Sequence, residues 1–320
     1  RLNDILQARA DPRRRVEEAL IETIYSPASP YHRPAGGVRE TVERLDADVL
    51  RHAYGAAAHP VGSALIVAGE LGGVDVPALA ERLFGSWPGG AGPGDRSIPA
   101  EPASRSRRVR VMHRPGSVQT EIRLGHVGRR RRIPDFHALA VTGAILGGLF
   151  NSRLNRRLRE EKGYTYGASA SFDLRRSAGP FAARAAVQTA VTVPAIIDAI
   201  AELVAIREAP VRADELTAAR DFLIGVFPLR FETPGPIVAA LSNLVINGLP
   251  DDELARYRER IEAVTAEDVL EVAQANVRPD ELQVVLVGDA DAFATDLAAA
   301  SIGDVTVDRD EPAAAHAETD

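Results

Sequence analysis

One pattern is written twice in this chain, and it limits the available folds more than any other feature. Asp48-Val49-Leu50 returns as Asp268-Val269-Leu270, Pro60 as Pro279, and Gly69-Glu70 as Gly288-Asp289. The offset is 220 residues at the first match and 219 at the others, and nine residues separate Pro from Gly in both copies. Each copy reads as a short helix, a loop holding the Pro, an apolar strand (Ala64–Ala68 and Gln283–Val287), a Gly-acid turn and another helix. Such an arrangement is common; the shared Pro-to-Gly spacing is what points to duplication. The second half opens with a strand near Val109, about 150 residues ahead of its copy, whereas only 47 residues precede Asp48. The first half is therefore incomplete, and roughly 100 residues of an upstream half are expected before Arg1. The start of the chain agrees: it has no Met and no signal-like segment, and it opens in a helical pattern with Leu2, Ile5 and Leu6 apolar.

Pro and Gly crowd residues 87–107, which show no hydrophobic periodicity and read as a linker. The expected organisation is a remainder of the first half at 1–86, the linker at 87–107, a second half at 108–303 and an acidic, disordered tail at 304–320. In the second half, strands are expected at 108–112, 120–126, 166–173 and 181–189. Helices are expected at 135–147, 152–161, 194–208, 214–226 and 237–247. Strands in hairpins and helices in groups favour an α+β fold, each half a largely antiparallel sheet with helices on one face.

Composition narrows the chemistry. The tail at 304–320 holds six acids against one Arg, which leaves the rest of a chain of net charge −7 near neutral, against a general nucleic-acid binder. There is no Cys, which removes disulfides, thiolate metal sites and Cys nucleophiles. No apolar run reaches the ~18 residues of a membrane span. The Arg run 129–132 suits either a nucleic-acid contact or a solvated loop; its place between a strand and Pro134, with no interleaved aromatics, favours the loop.

The densest segment is LGGLFNSRLNRRLREEKGYTYGASASF, residues 146–172. Gly163 ends a helix in the manner of a glycine at C′. Tyr164 and Tyr166 then fall two apart on the expected strand, on one side of it. Arg159 in the last helical turn and Tyr166 admit two readings. They form a donor pair for a carbonyl oxygen or oxyanion, or they are an Arg facing the helix dipole and a Tyr packed on the sheet.

This segment resembles the second-domain signature of the pitrilysin/insulinase family of zinc metallopeptidases, of the mitochondrial-processing-peptidase type. The matching residues are Gly147, Gly148, Ser152-Arg153-Leu154, Leu158-Arg159, Gly163 and Tyr166. The stretch PYHRPAGGVRETVERLDADVL, 30–50, resembles the region before the family's helix–strand unit. The resemblance implies two homologous halves facing across a chamber. The first carries His-x-x-Glu-His with a downstream Glu, for zinc and its general base. The second supplies Arg159 and Tyr166 to hold the substrate backbone. The implied substrate is a peptide held as an added strand.

The seven histidines, His32, His52, His59, His113, His126, His137 and His316, include no His-x-x-Glu-His. Zinc is thus implied by the family with its ligands outside this chain; the downstream Glu would fall just before residue 1, with Asp4 a weaker candidate. The expected function is the substrate-binding part of a zinc metalloendopeptidase, inactive alone. The alternative is a non-catalytic partner subunit of a heterodimeric peptidase. The implied partners are a peptide and the upstream metal-bearing half or a partner subunit, with no nucleic acid and no membrane. Arg supplies every basic residue but Lys162, a bias of GC-rich bacterial genomes that leaves cytoplasm or periplasm open.

Overall fold

A computed structural model describes residues 1–89, 98, 100–101 and 106–309. Most of the expected linker, and residues 310–320 of the expected tail, lie outside the described residues. In chain order the elements are α1 (Leu2–Ala10), α2 (Pro12–Ile24), α3 (Arg39–Val42), α4 (Ala47–Ala57), α5 (Val76–Phe84), β1 (Arg108–His113) and β2 (Gln119–Val127). Then come α6 (Phe136–Gly143), α7 (Arg153–Asn155), β3 (Ala168–Phe172), β4 (Pro180–Gln188), α8 (Thr192–Ala205), α9 (Ala213–Val226) and α10 (Pro234–Asn247). The chain closes with α11 (Tyr257–Glu262), α12 (Ala266–Asn276), β5 (Gln283–Gly288), α13 (Ala294–Ala299) and β6 (Asp304–Asp308). The fold is α+β, with helices and one six-stranded sheet of order β3-β4-β2-β5-β1-β6. Three of the strand pairings are antiparallel, and β1 runs parallel to both β5 and β6.

The continuous apolar run of β5 is explained by its place. It lies between β2 and β1, and both of its faces are covered, so every residue is buried. Val284 and Leu286 face the main core, with Ile196, Ala199 and Leu203 of α8 and Val269, Val272 and Ala273 of α12. These recur at helical spacing and form the stripe each helix buries. Val285 and Val287 face the other way and pack under Val16, Ala19 and Leu20 of α2. Helix α2 starts cleanly, with Asp11 accepting from Arg13 N at 2.9 Å and Pro12 in its first turn. Its Glu17 accepts from Arg123 Nε (2.7 Å) and Arg184 Nε (3.0 Å). The helices of the second half thus cover one face of the sheet, and α2 from the segment before the linker covers the other.

Two expectations need correction. Residues 64–68 form no strand, and no strand lies among the described residues of 1–89. A strand needs neighbours for its N–H and C=O groups, and the described residues supply none there, whereas the matching β5 has two. At the other end, Asp304–Asp308 is not part of a structureless tail but strand β6, paired with β1. Its Val305 and Val307 pack on the core, and Asp308 binds Arg110 at 2.6 Å. Acidic composition hid a short alternating strand at a sheet edge, where charged residues are expected.

The two copies of the repeat differ sharply in burial. Val269 is 0 % exposed, and its counterpart Val49 is 48 % exposed. Leu65 and Val67 are exposed where Val284 and Leu286 are sealed. Helices α4 and α5 contribute no fully buried residue. No helix among the described residues is long and apolar enough to cross a membrane.

Candidate functional site

The segment 144–168 wraps from the core to the surface and back. A π-helical turn, Ala144–Gly148, extends α6 and lies against β3. After the loop at 149–152, α7 continues into a second π turn, Arg156–Glu161. Leu154 and Leu158 anchor this helix in the core. Gly163, at φ +64°, then reverses the chain in the left-handed region, as the sequence expected.

Asn155 and Thr165, which sequence reasoning missed, fix the loop that follows. The buried Asn155 side chain donates to Leu149 O (3.1 Å) and Ser152 Oγ (3.2 Å), and its Oδ1 accepts from Ala168 N (2.8 Å). It ties the helix to the first residue of β3. Thr165 Oγ1 hydrogen-bonds Ala186 O at 2.7 Å and accepts from Gly167 N at 3.2 Å. A polar residue on an otherwise apolar helix face, three residues after Ser152, was the available signal for Asn155.

These bonds present Tyr166. It lies in the loop before β3 and is 94 % exposed, with no hydrogen bond to its phenol among the described residues. Tyr164 is half-buried and packs on the main core. The expectation that both tyrosines share one side of a strand is therefore wrong. The strand starts two residues later because Asn155 and Thr165 hold 164–167 as a loop.

The four arginines of the segment divide by partner. Arg153 makes a two-pronged bond to Glu215, 2.9 Å on each arm. Arg157 binds Asp198 (2.7 Å) and Glu161 (3.1 Å), and Arg156 lies 3.8 Å from Glu161. Arg159 sits over the ring of Phe150 at 3.7 Å, donates to Phe150 O (3.1 Å) and pairs with Glu160 (2.8 Å). Phe150 is itself 78 % exposed. Arg159 and Tyr166 are not bonded to each other, and neither lines the large cavity at the other end of β2. Tyr166 stands exposed just before β3, an edge strand whose outer side has no partner among the described residues, whereas the Arg159 side chain is largely covered.

One group of three possible metal-binding side chains occurs among the described residues, His113, Asp289 and Asp291. All three are engaged within the protein. His113 Nδ1 accepts from Ala290 N (3.2 Å), Asp289 accepts from Gly116 N and Asp291 N, and Asp291 pairs with Arg309 (2.5 Å). The group does not fit a zinc centre.

The sequence profile described as "Peptidase M16 inactive domain" matches residues 44–223, more than half of the chain. The chain belongs to the M16 peptidase family. Among solved structures, this M16 chain is similar to the peptidase M16 inactive domain from Pseudomonas fluorescens, with 22% identity and TM-score 0.81 over 90% of this chain and 68% of that one. A protease from Helicobacter pylori has 17% identity and TM-score 0.73, over 89% and 71%. A chain of Complex III2 from Candida albicans has 16% identity and TM-score 0.71, over 91% and 70%. At these identities the likeness concerns the fold alone. No curated protein matches the M16 chain.

Two buried histidines set an acid limit on the fold. Burial above all lowers His126 and His137 from 6.5 to about 4. His126 stacks on Phe181 at 5.1 Å and accepts from Arg278 N, whose guanidinium adds to the shift. His137 lies between Phe136 and Tyr257, with Nε2 lacking a partner among the described residues. Unfolded imidazoles take up protons near 6.5, but the folded ones resist until about 4. Stability is thus full above that window and falls as pH drops through it, by about 1 kcal/mol per histidine between pH 7 and pH 5.5. Melting temperature against pH reads this. His137→Phe should remove roughly half of the histidine-dependent slope; an unchanged slope would mean that His137 titrates normally.

Proposed function

We infer that this chain is the substrate-holding part of a zinc metalloendopeptidase, with Arg159 and Tyr166 gripping the backbone of a peptide laid down as an added strand between two homologous halves. The observation that carries this reading is the presentation of Tyr166. A bulky phenol stands free in water on a loop pinned at both ends by Asn155 and Thr165, two residues before an unpaired edge strand. An edge strand offers main-chain N–H and C=O groups to an extended peptide without reading its sequence. A phenol and a guanidinium at its entrance supply donors for the peptide's carbonyl oxygens. The Phe150 ring keeps the Arg159 side chain in place before substrate arrives.

Residues 1–86 belong in this reading to a first half, and 108–303 to the second. The zinc of this family lies outside this chain, in keeping with the misfit of His113, Asp289 and Asp291. The exposed Val49, Leu65 and Val67 match Val269, Val284 and Leu286, which are sealed in the second copy, and this supports a further half packed against them. A second reading is a partner subunit that lends its arginine and tyrosine to a metal-bearing chain. The fold likeness to a chain of Complex III2 favours it, because that chain works inside a larger assembly.

In the complete protein, Arg159→Ala and Tyr166→Phe should each lower kcat/KM for peptide cleavage by about tenfold to a hundredfold, with zinc content unchanged. Parental rates in both variants would remove the clamp. Cleavage that appears only on adding a separate metal-bearing chain would select the second reading.

A further inference from the structure

The Arg run at 129–132 is split by the fold. Arg131 turns inward, and its neighbours turn outward onto a cavity of about 980 Å³ between the end of α2 and the end of β2. Arg129, Arg130 and Arg132 line that cavity, together with Arg108 and Arg278. The side chains of Arg129, Arg130 and Arg132 make no hydrogen bond, ion pair or ring contact among the described residues. Among the described residues Arg108 is bonded only to a neutral partner, Gln283 (3.2 Å), which leaves its charge uncompensated there. Two carboxylates line the described wall. Glu281 is occupied by Arg278 at 3.0 Å. Glu101 accepts only from the backbone of Ser26 at 2.9 Å, so it keeps its charge, and the free cations still outnumber it. Like charges crowded on one loop repel one another, and a fold that needed them only for solubility would intersperse acids.

We propose that this cavity is a binding site for an acidic peptide segment, whose carboxylates pair with Arg129, Arg130 and Arg132. The volume lies at the upper end of ligand pockets, roughly 300–1,000 Å³, which suits several residues of extended chain better than a single small anion. The uncompensated cations come from two separate places, the 129–132 loop and Arg108 at the start of β1. Ile24, Val127 and Ile133 also line the cavity and would receive apolar side chains of the same segment. Nucleic acid is the poorer fit. Single strands rely on exposed aromatic platforms, and the tyrosine in the wall is committed. Tyr25 is 3 % exposed, its hydroxyl donates to Ala178 O at 2.8 Å, and its ring meets Tyr31 edge-on. This inference does not rest on Arg159 or Tyr166, and either can fail without the other.

The probe is a fluorescein-labelled peptide of alternating Glu and Val, followed by anisotropy at low salt with this chain. Exposed ion pairs are individually weak, so Arg129→Gln/Arg130→Gln/Arg132→Gln together should weaken binding by about tenfold, with melting temperature unchanged. The corresponding triple Lys variant should keep most of the affinity, and a matched peptide of alternating Lys and Val, in which Lys replaces Glu, should not bind. If the triple Gln protein melts early, Arg130→Gln alone, at an exposed side chain without contacts, should still cost about threefold. Equal binding by the Gln variants would overturn the proposal. So would an absence of peptide binding by the native chain, or tighter binding of a single-stranded oligonucleotide of the same charge.

Discussion

Glu253→Ala is expected to destabilise the protein by about 3–5 kcal/mol. Glu253 is buried and serves two guanidiniums at once. Arg131 binds it at 2.8 Å, and Arg260 binds its other oxygen. Arg131 is also largely buried and lies over the ring of Phe136 at 3.4 Å. Burial alone would raise the Glu253 carboxyl; the hydrogen bond and charge of Arg131 hold it below the usual range. Removing the acid leaves two cations with no counter-charge, one of them cut off from water. That cost exceeds whatever the intact pair contributes, because a buried unpaired charge keeps its desolvation penalty. Urea unfolding at neutral pH measures the effect, and Glu253→Gln should recover only the packing part of it. As a reference, Asp214→Ala, at an exposed pair with Arg212 (3.0 Å), should leave stability nearly unchanged. Equal losses at the two sites would show that the buried network behaves as a surface pair.

Gly147→Ala should cost about 3 kcal/mol or more, because the new methyl group has nowhere to go. A Cβ there would stand 1.9 Å from Ala170 N and 2.8 Å from Ala170 Cα, both backbone atoms of β3. A backbone cannot swing aside as a side chain can, so the helix must lift from the strand. The neighbouring Gly148 is different. Its Cβ would meet nothing closer than Gly143 O at 3.3 Å, and Gly148→Ala should be mild by comparison. Thermal unfolding of the two variants should therefore diverge. A shift toward weaker peptide holding is expected in Gly147→Ala as well, since β3 and the Tyr166 loop hang from this contact.

Much of the second half was readable before the structure. The alternation at 108–112 and 120–126 became β1 and β2, and the continuous apolar run at 283–287 became the central strand β5. These patterns are legible because burial imposes a period on each element. Gly147 and Gly163 were legible for a related reason, since a close approach and a chain reversal each admit few residue types, while Arg159 and Tyr166 stood out only through the family resemblance.

What the residues alone determined is an α+β, duplicated-pattern chain of the M16 peptidase family, without the His-x-x-Glu-His motif. Local spacing carries the α+β pattern and the repeat, and the resemblance of residues 146–172 together with the profile match over 44–223 carries the family. Only the tertiary structure decided which copy of the repeat is sealed, because Val49 and Val269 look alike until their neighbours are present or missing. Only it placed α2 across the far face of the sheet, turned Arg131 inward and its neighbours outward, and freed Tyr166 while burying part of Tyr164. Those outcomes depend on contacts between residues far apart in the chain, and no local period records them.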